Sequence, residues 1–389
     1  MKKNFNFRLV KAIKLVTKKK KSYLHEPHLD ESDIQEVKKC IKTSFVSSIS
    51  PQVNLFEKSI AKITKSKYVI ATVNGTSAIH TALKLFDIKP TDEVLMPSLN
   101  FVSSANAVKY CSATPHFVEI NKKNLSVDII KLENYLKKIS LIKKNHCFNK
   151  KTKRRIKALV VVHLFGYSGN LNKINALCKK FKLKLLEDAA EAFGSYFKKK
   201  HLGTFGDLGV LSFNGNKILT TGGGGAILTS NLGLARRASS LINQSKIPHK
   251  WETKFSEIGY NYRLPGLNAA LGLSQIKKFK KILRAKKKLN QKYRNIFKNF
   301  KELEFFTESK DCSSNHWLNT IILKTNSMSL RNKVLKKLNN SGIQARPCWK
   351  LLHKHKQFFD CPKMELKITE KLEKKIINIP SSPMYGLND

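Results

Sequence analysis

The sequence has little of what defines fibrous, disordered or membrane-spanning proteins. Its 389 residues include only 18 glycines and 11 prolines, which excludes a collagen-like or proline-rich fibre. The longest nearly apolar run, residues 158–167, contains His163 and is too short to cross a bilayer. Because 41% of the residues are hydrophobic, the chain can bury a sizeable core, so a disordered protein is excluded as well. A chain of this length is expected to form more than one core.

Cysteine is sparse and irregularly placed. The chain has seven cysteines, an odd number, and none of them forms a C-x-x-C pair. This spacing argues against a disulfide scaffold and against a zinc site. His353 and His355 are not at the spacing of helical metal ligands, so no metal site is predicted. The thiols are expected to stay reduced, which favours a cytoplasmic location.

Acidic residues are scarce. Asp and Glu total 27 against 74 Lys and Arg, which gives a net charge of +47. One interpretation is attraction to a polyanion such as nucleic acid, anionic lipid or a phosphorylated substrate. The other is a compositional excess of lysine on solvated faces. Because the sequence has no nucleic-acid-binding signature, the second interpretation is preferred and no nucleic-acid partner is expected.

Residues 1–22 are expected to form a basic N-terminal tail. Residues 1–21 contain nine basic residues and no acid. They also lack an apolar stretch long enough for a secretory signal peptide. A frayed tail is the preferred interpretation, and a transit-like or surface-adhering amphipathic segment is the alternative.

From residue 23 onward the pattern is that of a globular α/β protein. Short helices are predicted at 30–41 and 51–65, and apolar strands that alternate with helices follow them. The predicted strands are 68–73, 92–96, 114–120, 157–163, 182–186, 210–213, 226–229 and 319–323, and the further helices are 76–86, 171–181 and 330–339. Continuous apolar strands indicate a parallel sheet buried on both faces, with ligands beyond the carboxyl ends of its strands.

Two lysine-rich stretches interrupt this pattern. Residues 143–157 hold eight basic residues and no acid, and they are expected to form an exposed loop. Residues 276–298 hold eleven basic residues at the spacing of one long helix with an apolar stripe, which is expected to enter a second, smaller domain. The predicted organisation is therefore a segment at 23–50 that packs on the small domain, a large α/β domain at 51–275, and a smaller α+β C-terminal domain at 276–389.

Three segments at strand ends carry candidate chemistry, and in a parallel sheet they would converge on one edge. The first, N-G-T-S-A at 74–78, ends a strand and opens a helix, where free backbone N–H groups, the helix dipole and two hydroxyls suit a phosphate group. Simple capping of the helix is the alternative role of these residues.

The other two segments supply a carboxylate and an amine. Asp188, in E-D-A-A-E at 187–191, can pair with a ring nitrogen that must stay protonated, or it can cap the next helix. Lys217 ends S-F-N-G-N-K at 212–217, close before a run of four glycines. A lysine desolvated in that setting can form a Schiff base, although a surface position is the default for any lysine. Together the three segments describe pyridoxal phosphate chemistry.

In order and spacing the chain resembles the nucleotide-sugar aminotransferases of the DegT/DnrJ/EryC1/StrS family. The resemblance runs from about residue 23 to residue 383 and includes P-S-L-N-F-V-S-S-A-N-A (97–107), V-V-H-L-F-G (161–166) and G-Y-N-Y-R-L (259–264). It implies the type I fold of pyridoxal phosphate-dependent transferases, which is the fold of aspartate aminotransferase. On this basis the domain at 51–275 would bind the cofactor.

The resemblance also implies roles for single residues. The implied cofactor-binding residues are Gly75, Thr76, Ser77, Phe101, Asp188, Glu191, Ser212, Lys217 and Asn261. Lys217 would be the catalytic residue, which holds the cofactor and shuttles the proton, and Asp188 would keep the pyridine nitrogen protonated. Thr76, Ser77 and Ser212 would bind the phosphate, and Phe101 would stack on the ring.

Four positions refine this expectation. Glu191 stands where many relatives have Gln near the phenolic oxygen of the cofactor. Asn261 would reach the phosphate of a neighbouring subunit, which implies a homodimer with shared sites. Relatives that dehydrate sugars have His in place of the lysine, so Lys217 favours transamination. His163, also at a strand end, is expected to be structural rather than catalytic.

The substrate class follows from a finer resemblance. H-E-P-H (25–28), H-W-L-N-T-I-I-L (316–323), R-P-C-W-K-L-L-H (346–353) and I-I-N-I-P-S-S (376–382) resemble the subgroup that aminates UDP-linked 4-keto-6-deoxy-N-acetylhexosamines for bacterial surface sugars, with L-glutamate as donor. Trp349 and Lys350 are then candidates for the nucleotide-sugar pocket, although Trp349 can equally be core.

Two rival functions stay open at this point. A close enzymatic alternative uses GDP-4-keto-6-deoxymannose and produces perosamine. An alternative from another class is a basic binding protein that keeps the fold and has lost the chemistry.

Overall fold

Residues 3–387 are described in a computed structural model, and they form helices and strands that alternate along most of the chain. The helices are α1 (Lys3–Thr17), α2 (Glu31–Lys42), α3 (Pro51–Thr64), α4 (Gly75–Leu85), α5 (Ser103–Tyr110), α6 (Ile129–Ile139), α7 (Leu171–Lys180), α8 (Leu232–Ile242), α9 (Gly266–Phe297), α10 (Met328–Asn340), α11 (Lys367–Glu373) and α12 (Met384–Leu387). The strands are β1 (Tyr68–Thr72), β2 (Asp92–Pro97), β3 (Thr114–Val118), β4 (Ser140–Lys143), β5 (His146–Asn149), β6 (Arg155–Val162), β7 (Lys184–Asp188), β8 (Tyr196–Phe197), β9 (Lys200–His201), β10 (Leu208–Ser212), β11 (Gly225–Thr229), β12 (Lys246–Ile247), β13 (Lys254–Phe255), β14 (Leu303–Phe305), β15 (Cys312–Ser313), β16 (Asn319–Leu323), β17 (Arg346–Pro347) and β18 (Ile376–Ile379).

A large mixed sheet forms the centre of the first domain. Its strand order is β1-β11-β10-β7-β6-β2-β3. The neighbours from β10 to β3 are parallel, whereas β11 runs antiparallel to both β10 and β1. Strands such as β2 and β11 are buried along their whole length, because helices cover both faces of the sheet. The predicted α/β architecture with a largely parallel sheet is confirmed.

The prediction of an exposed loop at 143–157 is wrong in its first and last parts. Strands β4 and β5 form an antiparallel hairpin, and β5 also pairs with the start of β6. Cys147 and Asn149 of β5 are buried while the neighbouring lysines Lys143 and Lys150 are exposed. The high density of lysines hid a short strand that buries only alternate side chains.

A smaller antiparallel sheet, β14-β16-β18-β17, belongs to the C-terminal part of the chain. Helix α9 connects the two parts: Phe279 and Ile282 belong to the core of the large domain, and Leu289 and Tyr293 belong to the second core. This agrees with the predicted helix that crosses into a small domain, and the exact division at 275/276 stays a prediction.

Helix α9 begins ten residues before the predicted start at residue 276. Its first turns mix Gly and Ala with Leu267, Leu271 and Leu273 and contain no lysine, so they lie outside the lysine-rich stretch that predicts the helix. A Cβ atom on Gly272 would lie 2.4 Å from the Phe56 ring, which shows how closely α3 approaches. Small side chains in this stretch serve helix packing.

The prediction of a frayed basic tail at residues 1–22 is wrong, because residues 3–17 form helix α1. Phe5, Leu9, Ile13 and Val16 recur at helical spacing, and all four are buried in the core that contains Leu289. Four apolar residues on one face outweigh the basic composition that suggested a tail. Met1 and Lys2 lie outside the described residues.

The start of the segment at 23–50 lies along the small domain, whereas its end contacts the first turn of α9, where the Gly266 backbone N–H donates to the Ser47 carbonyl at 2.9 Å, so packing of the whole segment on the small domain stays a prediction. The backbone N–H of Tyr23 donates to Tyr385 Oη at 2.8 Å, and that of Leu24 donates to Gln344 Oε1 at 2.8 Å. Helix α2 then packs on the first half of α9. Within residues 3–387, no helix combines the length and the apolarity that crossing a membrane requires.

Candidate active site

A cavity of about 310 Å³ lies where the carboxyl ends of β6, β7 and β10 meet the start of α4. Of the residues predicted for the site it is lined by Gly75, Thr76, Phe101, Asp188, Glu191, Ser212, Lys217 and Trp349. The parallel strands bring these residues together from segments far apart in the sequence, because their carboxyl ends share one edge of the sheet.

Lys217 projects into this cavity from the turn that follows β10. Its backbone N–H donates to the Asn214 carbonyl at 2.9 Å, which closes the turn. Its Nζ lies 3.8 Å from Glu191 Oε1 and 3.9 Å from the centroid of the Trp317 ring. Burial lowers the pKa of the Lys217 amine, while the Glu191 and Asp188 carboxyls oppose that shift. The amine is thereby brought closer to its neutral, nucleophilic form.

Asp188 is the last residue of β7, and its carboxylate is fixed by two donors. Ser104 Oγ, in α5, donates to Oδ2 at 2.6 Å, and the backbone N–H of Ala190 donates to Oδ1 at 3.2 Å. The side chains of Asp188 and Ser104 are both buried. A carboxylate held in this way can orient and stabilise a protonated ring nitrogen in the cavity.

Glu191 is the second carboxyl group of the cavity. Its Oε2 accepts a hydrogen bond from the Phe165 backbone N–H at 2.7 Å. Burial raises the pKa of Glu191 to about 7, against the lowering effects of Lys217 and of the Phe165 N–H, and the nearby Asp188 adds to the rise. Near neutral pH, Glu191 therefore exists partly as the protonated acid, which can donate a hydrogen bond as Gln does.

The start of α4 forms the remaining side of the cavity. Asn74 caps the helix, since its Oδ1 accepts from the Ser77 N–H at 2.8 Å. Capping is thus one role of this segment, and it leaves Gly75 and Thr76 lining the cavity while Ser77 lies in the first turn behind them. A Cβ on Gly75 would lie 3.0 Å from Ser212 Cβ, so glycine lets the helix start approach β10 closely.

Aromatic rings surround the open side of the cavity. The Trp349 ring centroid lies 5.5 Å from that of Phe165 and 5.9 Å from that of Phe101. Phe101 is half exposed at the cavity, a position from which a ring can stack on a ligand. Lys350 lines a neighbouring cavity of about 560 Å³ that shares Trp349 with the first one.

Asn261 is the predicted residue that lies apart from the cavity. It is exposed and forms a β-bridge with Asn243. The expected role of Asn261 concerns the site of a second subunit, and its separation from the cavity of its own chain is compatible with that expectation.

His163 has the surroundings of a structural residue. Its Nε2 lies 2.8 Å from Glu187 Oε2, and both side chains are fully buried. Glu187 also accepts hydrogen bonds from the backbone N–H groups of Gly203 and Gly206, at 2.9 and 2.8 Å. The pair anchors the loop that precedes β10, in agreement with the expectation that His163 is not catalytic.

Two residues of the site had no role in the sequence-based prediction. Trp317 covers Lys217, and its Nε1 donates to the Asn216 carbonyl at 2.8 Å. Ser104 holds Asp188. Both occur in the quoted motifs, at 316–323 and 97–107, so the signal was present. The fully buried amine of Lys286 also donates to the Trp317 carbonyl, at 2.9 Å, and thus fixes the backbone that carries this ring.

The side chains of the cavity fit pyridoxal phosphate. The cavity contains a desolvated amine at Lys217, a fixed carboxylate at Asp188 and a helix start that glycine leaves open at Gly75. An aldehyde carbon, a pyridine nitrogen and a phosphate group, respectively, are the chemical partners of these three features. The hydroxyls of Thr76 and Ser212 are available beside the helix start.

Proteins of similar sequence and structure share one enzyme class. A profile of the DegT/DnrJ/EryC1/StrS aminotransferase family matches residues 27–389. The chain is 32% identical over 365 residues to GDP-perosamine synthase of Escherichia coli O157:H7, which covers 92% of this chain and 93% of that protein. It is 30% identical over 312 residues to UDP-4-amino-4,6-dideoxy-N-acetyl-beta-L-altrosamine transaminase of Campylobacter jejuni, which covers 80% of this chain and 74% of that protein. Helicobacter pylori PseC, an aminotransferase involved in the biosynthesis of pseudoaminic acid, has a similar structure with a TM-score of 0.82 at 26% identity, covering 92% of this chain and 93% of that one.

Proposed function

The chain belongs to the DegT/DnrJ/EryC1/StrS family of aminotransferases, and from that premise we propose that it transfers the amino group of L-glutamate to C4 of a UDP-linked 4-keto-6-deoxy-N-acetylhexosamine. It is a sugar aminotransferase that depends on pyridoxal phosphate. Glutamate would be the first substrate and leave as 2-oxoglutarate, and the keto sugar would accept the amine in the second half-reaction.

The observation that carries this proposal is the convergence of Lys217, Asp188 and the start of α4 on one cavity. When bound, pyridoxal phosphate supplies an electron sink and a carbon that carries the amine between the two substrates. The start of α4, with Thr76 and Ser212, would hold the phosphate. Asp188, fixed by Ser104, would hold the proton on the ring nitrogen. Lys217 Nζ would move the proton at the reacting carbon.

Glu191 and the aromatic residues would complete the binding site. The protonated form of Glu191 would donate a hydrogen bond to the phenolic oxygen, which is consistent with its raised pKa of about 7. Phe101 would stack on the ring from the open side. Trp317, whose ring centroid lies 3.9 Å from Lys217 Nζ, would limit the access of water to the amine.

The UDP-linked acceptor is supported by the motifs at 25–28, 316–323, 346–353 and 376–382, which line or adjoin the second cavity. That cavity contains His25, Trp317, Trp349 and Lys350. Its volume of about 560 Å³ and the positive charge of Lys350 suit part of an anionic nucleotide sugar. Trp349 and Lys350 are the residues that we propose contact it.

A GDP-linked acceptor is the second candidate, because GDP-perosamine synthase is among the relatives at 32% identity. Turnover with GDP-4-keto-6-deoxymannose and with the UDP-linked keto sugar, measured side by side at equal glutamate, separates the two. We expect a higher kcat/KM for the UDP-linked sugar. The opposite preference would replace this acceptor and leave the aminotransferase assignment intact.

We also propose a cytoplasmic homodimer in which Asn261 contacts the phosphate bound in the partner subunit. Trp251, Phe255 and Ile258 are largely exposed in the segment that leads to Asn261, where a second copy would cover them. All seven cysteines lie in the described part of the chain as free, buried thiols, which suits a reducing compartment.

Shared sites predict complementation between two inactive variants. Lys217→Ala and Asn261→Ala should each lose activity, and mixed dimers should regain part of it, because one of their two sites has both residues. Mixing that restores no activity, although mixed dimers form, would contradict the contribution of Asn261 in trans.

A further inference from the structure

The outward face of α1 combines exposed apolar and basic side chains. Phe7 is 64% exposed and Leu15 is 68% exposed. Exposed Lys11 lies between them, and residues 7, 11 and 15 follow one side of a helix at a spacing of four. The opposite side of α1 is already buried in the second core. The exposed residues are therefore not needed for the packing of α1 on the domain.

The chain directly after α1 extends the positive charge of this face. Residues 18–21 are four consecutive lysines, and all four are exposed. We call the outward residues of α1 together with residues 18–21 the basic face. Arg8, at its edge, makes an ion pair with Glu302 at 3.3 Å and covers the Phe300 ring at 4.8 Å. The remaining part of the face has no acidic residue of its own.

The helices that support the basic face add to its charge. Helix α1 packs on both α9 and α10. These three helices contain 4, 10 and 4 basic residues, respectively, and none of them contains an Asp or a Glu. Acidic residues of other elements offset part of this charge, as in the ion pairs of Lys277 with Glu36 and of Arg294 with Glu308, whereas residues 3–21 themselves contain no acid.

We propose that the basic face binds the surface of a lipid bilayer rich in anionic phospholipid, with α1 parallel to the membrane plane. Lysines attract an anionic surface over roughly a Debye length, and apolar side chains among them enter the headgroup region. Leu15 favours a bilayer over a nucleic acid, because it offers no ring for stacking on bases and no group for phosphate contact.

The packing of α1 sets the depth and strength of this contact. Because Leu9 and Ile13 are fully buried against the small domain, only the outward residues are available to the membrane. The binding is therefore shallow, reversible and sensitive to salt. The cavity that contains Lys217 is formed by other elements, so this contact does not depend on the acceptor sugar or on the catalytic assignment.

Co-sedimentation of the full chain with vesicles tests the proposal. We expect binding to vesicles of phosphatidylglycerol and phosphatidylcholine at low salt, and loss of binding at high salt or with phosphatidylcholine alone. The triple variant Lys11→Gln, Lys19→Gln, Lys20→Gln should bind about 100-fold more weakly, since each lysine near an anionic surface contributes about fivefold. The double variant Phe7→Gln, Leu15→Gln should also bind more weakly while keeping its salt dependence.

A matched control removes the same charge elsewhere. Lys143, Lys144 and Lys151 are exposed on the hairpin of the large domain, and their replacement by Gln should leave vesicle binding nearly unchanged. Equal losses in the control and in the α1 triple variant would overturn the proposal, because attraction would then follow net charge alone. Wild-type binding to duplex DNA that is tighter than to the vesicles, and unaffected in the double variant, would assign the face to nucleic acid instead. Unchanged thermal unfolding midpoints show that each variant is folded.

Discussion

Glu191→Gln removes a carboxyl group whose ionisation the fold opposes. Burial is the largest cause that raises the pKa of Glu191, from an ordinary value of 4.5 to about 7. Below pH 4.5 both the folded and the unfolded chain hold the proton of the Glu191 carboxyl, so the free energy of unfolding does not depend on pH through this group. Between pH 4.5 and pH 7 only the unfolded chain releases it, and the free energy of unfolding falls as the pH rises.

The size of this effect follows from the shift. Each unit of pKa difference corresponds to about 1.4 kcal/mol, so the penalty reaches about 3 kcal/mol at pH 7 and above. The cofactor-free Gln variant should match the wild type near pH 4.5 and be more stable by about 3 kcal/mol, to within a factor of two, at pH 8. Denaturant unfolding of the cofactor-free proteins across this pH range measures the difference.

Glu57 provides the matched control, because burial also raises its pKa to about 7 and it does not line the cavity. Glu57→Gln should produce a similar gain in stability at pH 8. If the free energy of unfolding changes with pH in the same way for Glu191→Gln and the wild type, while Glu57→Gln is clearly more stable at pH 8, then the raised pKa of Glu191 is refuted.

Three further predictions concern the site and the N-terminal helix. Lys217→Ala should abolish turnover and the visible absorption of the lysine-bound cofactor, and substantial residual turnover would contradict the catalytic role. Ser104→Ala should weaken cofactor binding by about 10- to 100-fold, measured by titration with pyridoxal phosphate, because a hydrogen bond to a charged group contributes about 1.5–3 kcal/mol; unchanged affinity would mean that Asp188 needs no second donor. Leu9→Ala should lower the free energy of unfolding of the small domain by about 2–5 kcal/mol, whereas the exposed Leu15→Ala should change it by less than about 0.5 kcal/mol. Equal effects at both positions, in denaturant unfolding, would contradict the packing of α1.

The large domain could be predicted from the sequence because its strands are continuous apolar runs. Strand β6 is of this kind over its last five residues, and the order of such strands with the helices indicates a largely parallel sheet. At the N-terminus the composition, nine basic residues and no acid in residues 1–21, favours a tail, whereas the spacing of Leu9 and Ile13 favours the helix that forms. The burial of a single face by tertiary packing decides between a helix and a tail.

The candidate site could be predicted as far as its residues lie at strand ends. Asp188 ends β7 and Lys217 follows β10, and the parallel pairing of these two strands brings both residues to one edge of the sheet. Ser104 reaches Asp188 from α5, and Trp317 reaches the cavity from the segment before β16; no local pattern indicates where such side chains point. The complete burial of Lys286 depends on carbonyl groups of Trp317 and Ser381, which lie far from it in the sequence.

The absorption spectrum of the purified protein with pyridoxal phosphate, recorded before and after the addition of L-glutamate, tests the central claim most directly. We predict a visible absorption band from cofactor bound to Lys217, and loss of that band when glutamate donates its amine. A folded protein that binds no chromophore under these conditions, or a bound chromophore that glutamate leaves unchanged, would contradict the account.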